Sequence, residues 1–198
     1  MTVTTRQGVS DAAVIEQSWQ EPGVFAALYR RHAPHISRYV ARRLGDDMAD
    51  DVTAETFYRA FEKRRKYDLG RPDARPWLYG IAANVMAQYH RKETRMLRAF
   101  ARSGADPVVQ TYGGQLEGAD DRVVAAGMHQ PLAAALAGLS RPHREVLLLV
   151  AWADLSYEET AQALGISVGT VRSRLHRARK KIRAALGDGN PLSISDEG

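Results

Sequence analysis

The chain of 198 residues contains no cysteine. Disulfide staples, thiolate zinc sites and cysteine nucleophiles are thereby excluded. No run approaches the ~18 consecutive apolar residues that a membrane-spanning helix needs. Residues 1–20 also lack the basic start and apolar core of a secretory leader. A cytoplasmic protein without membrane insertion is therefore expected. No segment carries a strand signal, for the one rich apolar run, Val146 to Trp152, lies inside a helical pattern. There is no internal repeat, no low-complexity tract, no phosphate-cradling glycine loop and no nucleophile elbow. His32 and His35 are three apart but Pro34 lies between them, and no third ligand cluster accompanies them. His90, His129 and His143 are scattered. All five are read as surface or structural residues. No metal, no cofactor, no catalytic residue and no small-molecule substrate is expected.

What is present is helical and basic. Lysine and arginine exceed aspartate and glutamate by 28 to 23. A net charge of +5 suits an acidic partner such as nucleic acid without proving one. Residues 1–20 are polar and aperiodic and read as a tail. From Glu21, Phe25, Leu28 and Tyr29 share a helical face until Pro34 interrupts. A second helix then carries Ile36, Tyr39, Val40 and Leu44, with Gly45 as its stop. A third opens in the acidic run Asp46, Asp47, Asp50 and Asp51 and ends in Lys63, Arg64, Arg65 and Lys66, the order that the helix dipole favours. After a loop, Tyr67 to Arg75, a fourth helix begins near Pro76. It buries Trp77, Leu78, Ile81, Ala82 and Val85 and runs into the basic tract His90, Arg91, Lys92, Arg95 and Arg98. Residues 99–118 are glycine-rich and lack an apolar stripe, which reads as a linker. Two further amphipathic helices follow, separated by the turn Ser140 to Pro142.

The most informative segment is Leu155 to Leu186. Ser156 and Glu159 form a capping box. Gly165 supplies the left-handed stop, Ile166 plugs the turn, and Ser167 caps the next helix. Val171, Leu175, Ala178 and Ile182 make its buried stripe. Two short helices about a glycine turn are a helix-turn-helix, whose second helix enters the major groove of DNA. Thr170, Arg172, Ser173, Arg174, His176 and Arg177 stand outside that stripe. Arginine forks pair with guanine edges or clamp phosphates, so these six are the candidate DNA contacts.

The run LSYEETAQALGISVGTVRSRLHRARKKIRAAL resembles the last conserved region of sigma-70 family sigma factors, which reads the promoter −35 element. DDVTAETFYRAFEK is similar to that family's polymerase-binding helix, and RPWLYGIAANVMAQYHRK to its −10-recognition helix. The three stand in the family's order in one short chain. The nearest group is the extracytoplasmic-function (ECF) sigma factors. The resemblance implies an all-α protein of two small domains: a region 2 bundle over residues 21–98 and a region 4 helix-turn-helix over 119–187. The 99–118 linker would join them, with a tail at 188–198.

Residue by residue, the resemblance implies that Asp50, Asp51, Glu55 and Phe57 dock on core RNA polymerase. It implies that Asn84 lies near the melting −10 element, with Arg91, Lys92 and Arg95 along the strand backbone. Trp77 and Tyr79 are stacking candidates, although helical spacing favours the core for Trp77. Arg172, Ser173, His176 and Arg177 are the −35 contacts. Two positions depart from the family pattern: Ala54 stands where glutamine is frequent, and His176 where residues vary. The acidic linker residues Asp106, Glu117, Asp120 and Asp121 would pass near the polymerase catalytic channel. The expected partners are core RNA polymerase, promoter DNA and an anti-sigma factor. The rival reading is a ligand-sensing helix-turn-helix regulator, which binds duplex DNA without polymerase.

Overall fold

The structure is a computed structural model, and it describes residues 9–103 and 130–186. The acidic linker residues Asp106, Glu117, Asp120 and Asp121, His129 and the 188–198 tail lie outside the described residues. Nine α-helices and no strand are found among the described residues. They are α1 (Asp11–Gln17), α2 (Ala26–Leu44), α3 (Ala49–Lys63), α4 (Arg75–Met86), α5 (His90–Ser103), α6 (130–138), α7 (Arg141–Ala151), α8 (Tyr157–Leu164) and α9 (Val168–Leu186).

The N-terminal domain is a bundle of α2, α3 and α4, with α1 and α5 against its flanks. The apolar stripes meet at its centre: Leu28, Ile36, Val40 and Leu44 of α2, Val52, Phe57 and Ala60 of α3, and Leu78, Ala82 and Val85 of α4. Each large aliphatic side chain so buried contributes about 1.5–3 kcal/mol over an exposed one.

Three expectations are corrected in this domain, one being the single run from Pro76 through the basic tract to a linker at 99: a turn at Ala87–Tyr89 divides it into α4 and α5, and α5 continues to Ser103. First, part of the expected tail is helix α1. Ser10 caps it by accepting from the amide of Ala13, and Ile15 is fully buried. Seven residues are too few to show an apolar period, and α1 is held by tertiary contacts. Asp11 N–H donates to the carbonyl of Pro72, and Trp19 Nε1 donates to that of Arg64. Second, Pro34 does not divide two helices but lies inside α2. It is exposed, so the carbonyl it leaves unpaired one turn earlier can be hydrated, while Leu28 and Ile36 on the opposite face hold the helix together.

The C-terminal domain contains α6 to α9. Ser156 accepts from the amide of Glu159 while the Glu159 carboxylate accepts from the amide of Ser156, the complete capping box. Gly165 adopts φ 62°, ψ 38°, the left-handed conformation that ends α8. Ser167 caps α9 through the amide of Thr170. Val146, Ala161, Val171 and Leu175 form a small core beneath the helix-turn-helix. Leu136, Leu139, Leu148, Leu149, Ala178 and Ile182 instead join the apolar core of the N-terminal domain.

Four buried charges close the seam between the domains. Arg43 of α2 forks onto both oxygens of Glu145 of α7, at 2.8 and 2.7 Å, and its Nε donates to Glu93 of α5 at 2.7 Å. Arg144 of α7 donates to the other oxygen of Glu93 at 3.0 Å and to the carbonyl of Leu136. It also donates to Nδ1 of His90, which places that imidazole's proton on Nε2. Arg144 Nε is buried without a partner. Burial alone would raise the Glu93 carboxyl, but Arg43 and Arg144 hold it below the usual carboxylate value of 4.5. A depressed carboxylate contributes stability above its unfolded value and loses it as pH falls through the folded one. The seam is therefore expected to weaken below about pH 4.5, read as a rise in radius of gyration on acid titration.

Candidate nucleic-acid interface

Helix α9 presents its polar face outward. Arg172, Ser173, His176 and Arg177 are exposed, and Thr170 and Arg174 are half-buried. Thr170 and Ser173 are partly engaged in local bonds: Thr170 Oγ1 pairs with Ser167 Oγ at 2.8 Å, and Ser173 Oγ donates to the carbonyl of Thr170. That leaves Arg172, His176 and Arg177 as the freest of the six. Burial, then the charges of Lys181, Arg177 and Arg174, push His143 below the ordinary histidine value.

In the N-terminal domain, Asn84 is exposed on α4 and opens onto a cavity of about 380 Å³. Lys63 at the end of α3, Lys66 in the turn after it, Tyr67, Asp68 and Arg71 from the loop, Trp77, Gly80 and Ile81 of α4, and Gln162 and Ala163 of α8 line it. Three cations face one carboxylate, and Asp68 is already held by Arg71 at 2.9 Å and by the amide of Gly70. Tyr67 stands against Trp77, ring centroids 4.9 Å apart. An aromatic wall, basic rim and amide side chain suit an unstacked base and its phosphate.

The two α4 aromatics part company: Trp77 packs against the core as its spacing suggests but keeps one side free, and Tyr79, the other stacking candidate, is the more deeply buried. Trp77 is half-buried and lines the cavity, whereas Tyr79 is 4 % exposed and packs edge-on against Tyr39 at 5.2 Å. The loop helps to decide which aromatic faces out, because Tyr67 packs on Trp77.

The loop is held by side chains the sequence did not point to. Tyr67 Oη shares its proton between the carbonyls of Arg71 at 2.7 Å and Asp73 at 3.1 Å. Burial, then the nearby carboxylates of Asp11 and Asp73, push this phenol up to about 12. Asp11 of α1 accepts from the amide of Ala74 at 2.9 Å, meets His32 Nε2 at 2.7 Å and pairs with Arg31. Asp11, His32 and Asp73 lie close enough together to suggest a metal site. The bonds of Asp11 to the Ala74 amide, His32 and Arg31 instead give it a structural task.

Burial acts to raise the Asp11 carboxyl, and bonds from His32 and Ala74 with the His32 charge more than offset it, so its value lies below 3.8. Its stabilising contribution is present above that unfolded value and fades as pH falls through the folded one. Asp11→Ala is expected to cost about 1–3 kcal/mol, because the Ala74 amide and His32 are left buried without an acceptor. Denaturant unfolding near neutral pH measures it. The gap from the wild type should close below pH 3.8, and an equal gap at all pH values would contradict the assignment.

The expected polymerase-docking residues divide. Asp50 and Asp51 are exposed on the first turn of α3. Glu55 is half-exposed and bonded to Arg59 at 2.6 Å. Phe57 is 4 % exposed and packs against Tyr29 at 4.9 Å, so it supports the helix from within. The exposed aromatics beside it are Tyr58, 59 % exposed, and Tyr29, at 46 %. Tyr58 falls off the buried stripe of α3, a signal the sequence held. Arg91, Lys92 and Arg95 are all exposed on α5.

A basic helix-turn-helix and a second helical domain with a cationic, aromatic-walled cavity define a nucleic-acid-binding protein with two separate contacts. The family description "Sigma-70 region 2" matches residues 28–96, and "Sigma-70, region 4" matches residues 129–182. The chain is 34% identical over 170 residues to the ECF RNA polymerase sigma factor SigL of Mycobacterium tuberculosis, covering 84% of this chain and 90% of SigL. It is 37% identical over 161 residues to SigC of the same species, covering 81% and 80%. It is 33% identical over 174 residues to SigE of Mycolicibacterium smegmatis, covering 84% of this chain and 60% of that longer protein. Among solved structures, CnrH in complex with the cytosolic domain of CnrY superposes with a TM-score of 0.62 at 27% identity, over 89% of this chain and 96% of that one. RpoE in complex with the anti-sigma factor NepR from Bartonella quintana shares the fold, with a TM-score of 0.56 at 23% identity over 84% and 98%. The chain belongs to the sigma-70 family, in its extracytoplasmic-function group. It is a sigma factor, which binds core RNA polymerase and initiates transcription at promoters.

Proposed function

We propose that the two domains divide promoter recognition between them. The N-terminal domain takes a flipped base of the −10 element into the cavity beside Asn84, with Trp77 and Tyr67 as its aromatic wall. Lys63, Lys66, Arg91, Lys92 and Arg95 neutralise the strand backbone. The C-terminal domain sets α9 in the major groove of the −35 element, with Arg172, His176 and Arg177 on base edges. Asp50, Asp51, Glu55 and Tyr58 meet core polymerase. The observation that carries the reading is the cavity at Asn84, basic, aromatic-walled and large enough for one base. Action is by binding and strand opening, without covalent catalysis, and in the cytoplasm. Since CnrH and the Bartonella protein are each seen with a protein partner, the latter named an anti-sigma factor, we include an anti-sigma factor among this chain's partners.

In vitro transcription with purified core polymerase on randomised promoter fragments tests the whole reading. Transcripts that depend on this protein, sharing −35 and −10 sequences, are expected. Arg177→Ala should lose about 1–3 kcal/mol of discrimination at one −35 position. A uniform loss across all promoter variants would move Arg177 to a phosphate contact.

A further inference from the structure

Arg31, His35, Arg38 and Arg42 follow one another along α2 at spacings of four, three and four, which puts them on one face of the helix. Like charges so spaced repel and weaken a helix. On an open helix face such a stripe is merely solvated. Here it is walled in. Arg75, at the start of α4, stands opposite, and with the turn between α7 and α8 the two helices enclose a cavity of about 430 Å³. Tyr39, Tyr79 and the half-buried Trp152 supply its aromatic lining. It shares no lining residue with the cavity at Asn84.

The charges around this cavity are not balanced. Arg31 is answered by Asp11. Arg38 bonds only within its own helix, to the carbonyl of Pro34 at 3.2 Å and to Nδ1 of His35 at 2.9 Å. Arg75 donates to a neutral group, the carbonyl of Ala153, at 2.8 Å. Arg42 has its Nε buried without a partner. Among the described residues no carboxylate pairs with Arg38, Arg42 or Arg75. Asp154, the one acidic residue of the lining, is exposed and joins none of them.

The three guanidinium groups also converge. Burial raises the Tyr79 phenol, and the charges of Arg75, Arg38 and Arg42 all pull against it. Burial, then Arg38 and Arg75, push His35 below the ordinary histidine value. With Arg38 donating to its Nδ1, that ring brings an Nε2–H donor and no further charge at neutral pH.

Guanidinium forks match the oxygens of phosphate in geometry as well as charge. Three unanswered cations around one concave space suit a ligand with several negative charges close together. The volume lies within the range of about 300–1,000 Å³ usual for small-molecule sites. We infer that this cavity binds a small molecule bearing a di- or triphosphate group, free or carried on a nucleoside. Arg38, Arg42 and Arg75 hold the phosphoryl oxygens, and Trp152 lies beside whatever the phosphates carry. The inference does not rest on the promoter reading, since neither the Asn84 cavity nor the outward face of α9 takes part.

Isothermal titration calorimetry on the full chain tests it, at physiological ionic strength so that exposed charges are screened. The probes are inorganic triphosphate and, separately, GTP. One saturable site per chain is expected. Arg38→Ala with Arg42→Ala should weaken both probes about a hundredfold, tenfold for each charge-assisted bond lost. The control removes the same charge elsewhere: Arg98→Ala with Lys180→Ala, both exposed and outside the cavity, should leave the affinities unchanged. Far-UV circular dichroism checks that helix content is kept. If the α2 pair loses it, Arg38→Ala alone, an exposed side chain, carries the measurement with a loss of about tenfold.

Equal affinity for the two probes assigns the site to the polyphosphate group alone. Tighter GTP binding, with the margin lost in Trp152→Ala, assigns it to a nucleoside polyphosphate. Absence of saturable binding, or equal weakening in the control pair, overturns the inference. So does an α2 pair that weakens promoter DNA binding by the polymerase complex while leaving both probes unaffected, for the arginines would then be contacts to the DNA backbone.

Discussion

With Arg43 replaced by alanine, thermal unfolding of the protein is expected to split from one transition into two. Arg43 is 2 % exposed and holds Glu93 and Glu145 at once, while its Nη1 also donates to the hydroxyl oxygen of Tyr39. Without it, Glu93 keeps only the bond from Arg144, and Glu145 only the longer contact of Arg141 at 3.9 Å. Breaking a buried pair from one side costs about 3–5 kcal/mol, because the remaining charge is stranded. That full cost applies only while the seam stays shut. Parting of the domains lets Glu145 regain water, so the mutation uncouples them. Differential scanning calorimetry reads the outcome directly. A single transition with an unchanged midpoint would show that the four charges do not couple the domains. Swapping Arg43 for lysine is not conservative here, since one ammonium cannot make the bidentate fork.

Leu175→Ala is expected to have a comparable effect confined to the helix-turn-helix. Leu175 is 2 % exposed and shares its small core with Val146, Ala161 and Val171. A leucine-to-alanine change in such a core costs about 2–5 kcal/mol, and a core of so few residues has little capacity to close the cavity. No candidate base-contacting residue is touched. Polymerase-dependent transcription from −35-containing promoters should fall steeply. The N-terminal domain, whose core is separate from this cluster, should keep its fold and its grip on the −10 strand. Loss of strand binding along with transcription would show that the effect of Leu175 is not confined to the helix-turn-helix.

The helix-turn-helix was legible almost whole. Its capping box, glycine stop, second cap and buried stripe are local features, in contact within a few residues of one another, and local chemistry is what a sequence displays. The same holds for the exposure of Arg172, His176 and Arg177, since a strict apolar stripe leaves them no other face. Asn84 was found through resemblance, and its cavity was not visible: Lys63, Lys66 and Arg71 reach it from α3 and the loop, at separations that no periodicity records. Phe57 and Tyr58 show both sides of that limit at close range. The buried stripe of α3 already places Phe57 inside and Tyr58 outside, and what the stripe does not record is the partner, Tyr29 of α2, against which Phe57 packs. Pro34 reads as a break because the local rule says so, yet the packing of the opposite face of α2 overrides it.

By itself, then, the sequence determined the helical class, the two basic surfaces and the local geometry of the DNA-reading unit. These depend on cap chemistry and on the 3.6-residue period, both of which act over a single turn or two. Only the tertiary structure decided the closure of the two domains, with Gly80 against Ala163 and Arg43 against Glu145. Those contacts join residues 83 and 102 positions apart, and their energy exists only when both domains have folded and excluded water from the seam.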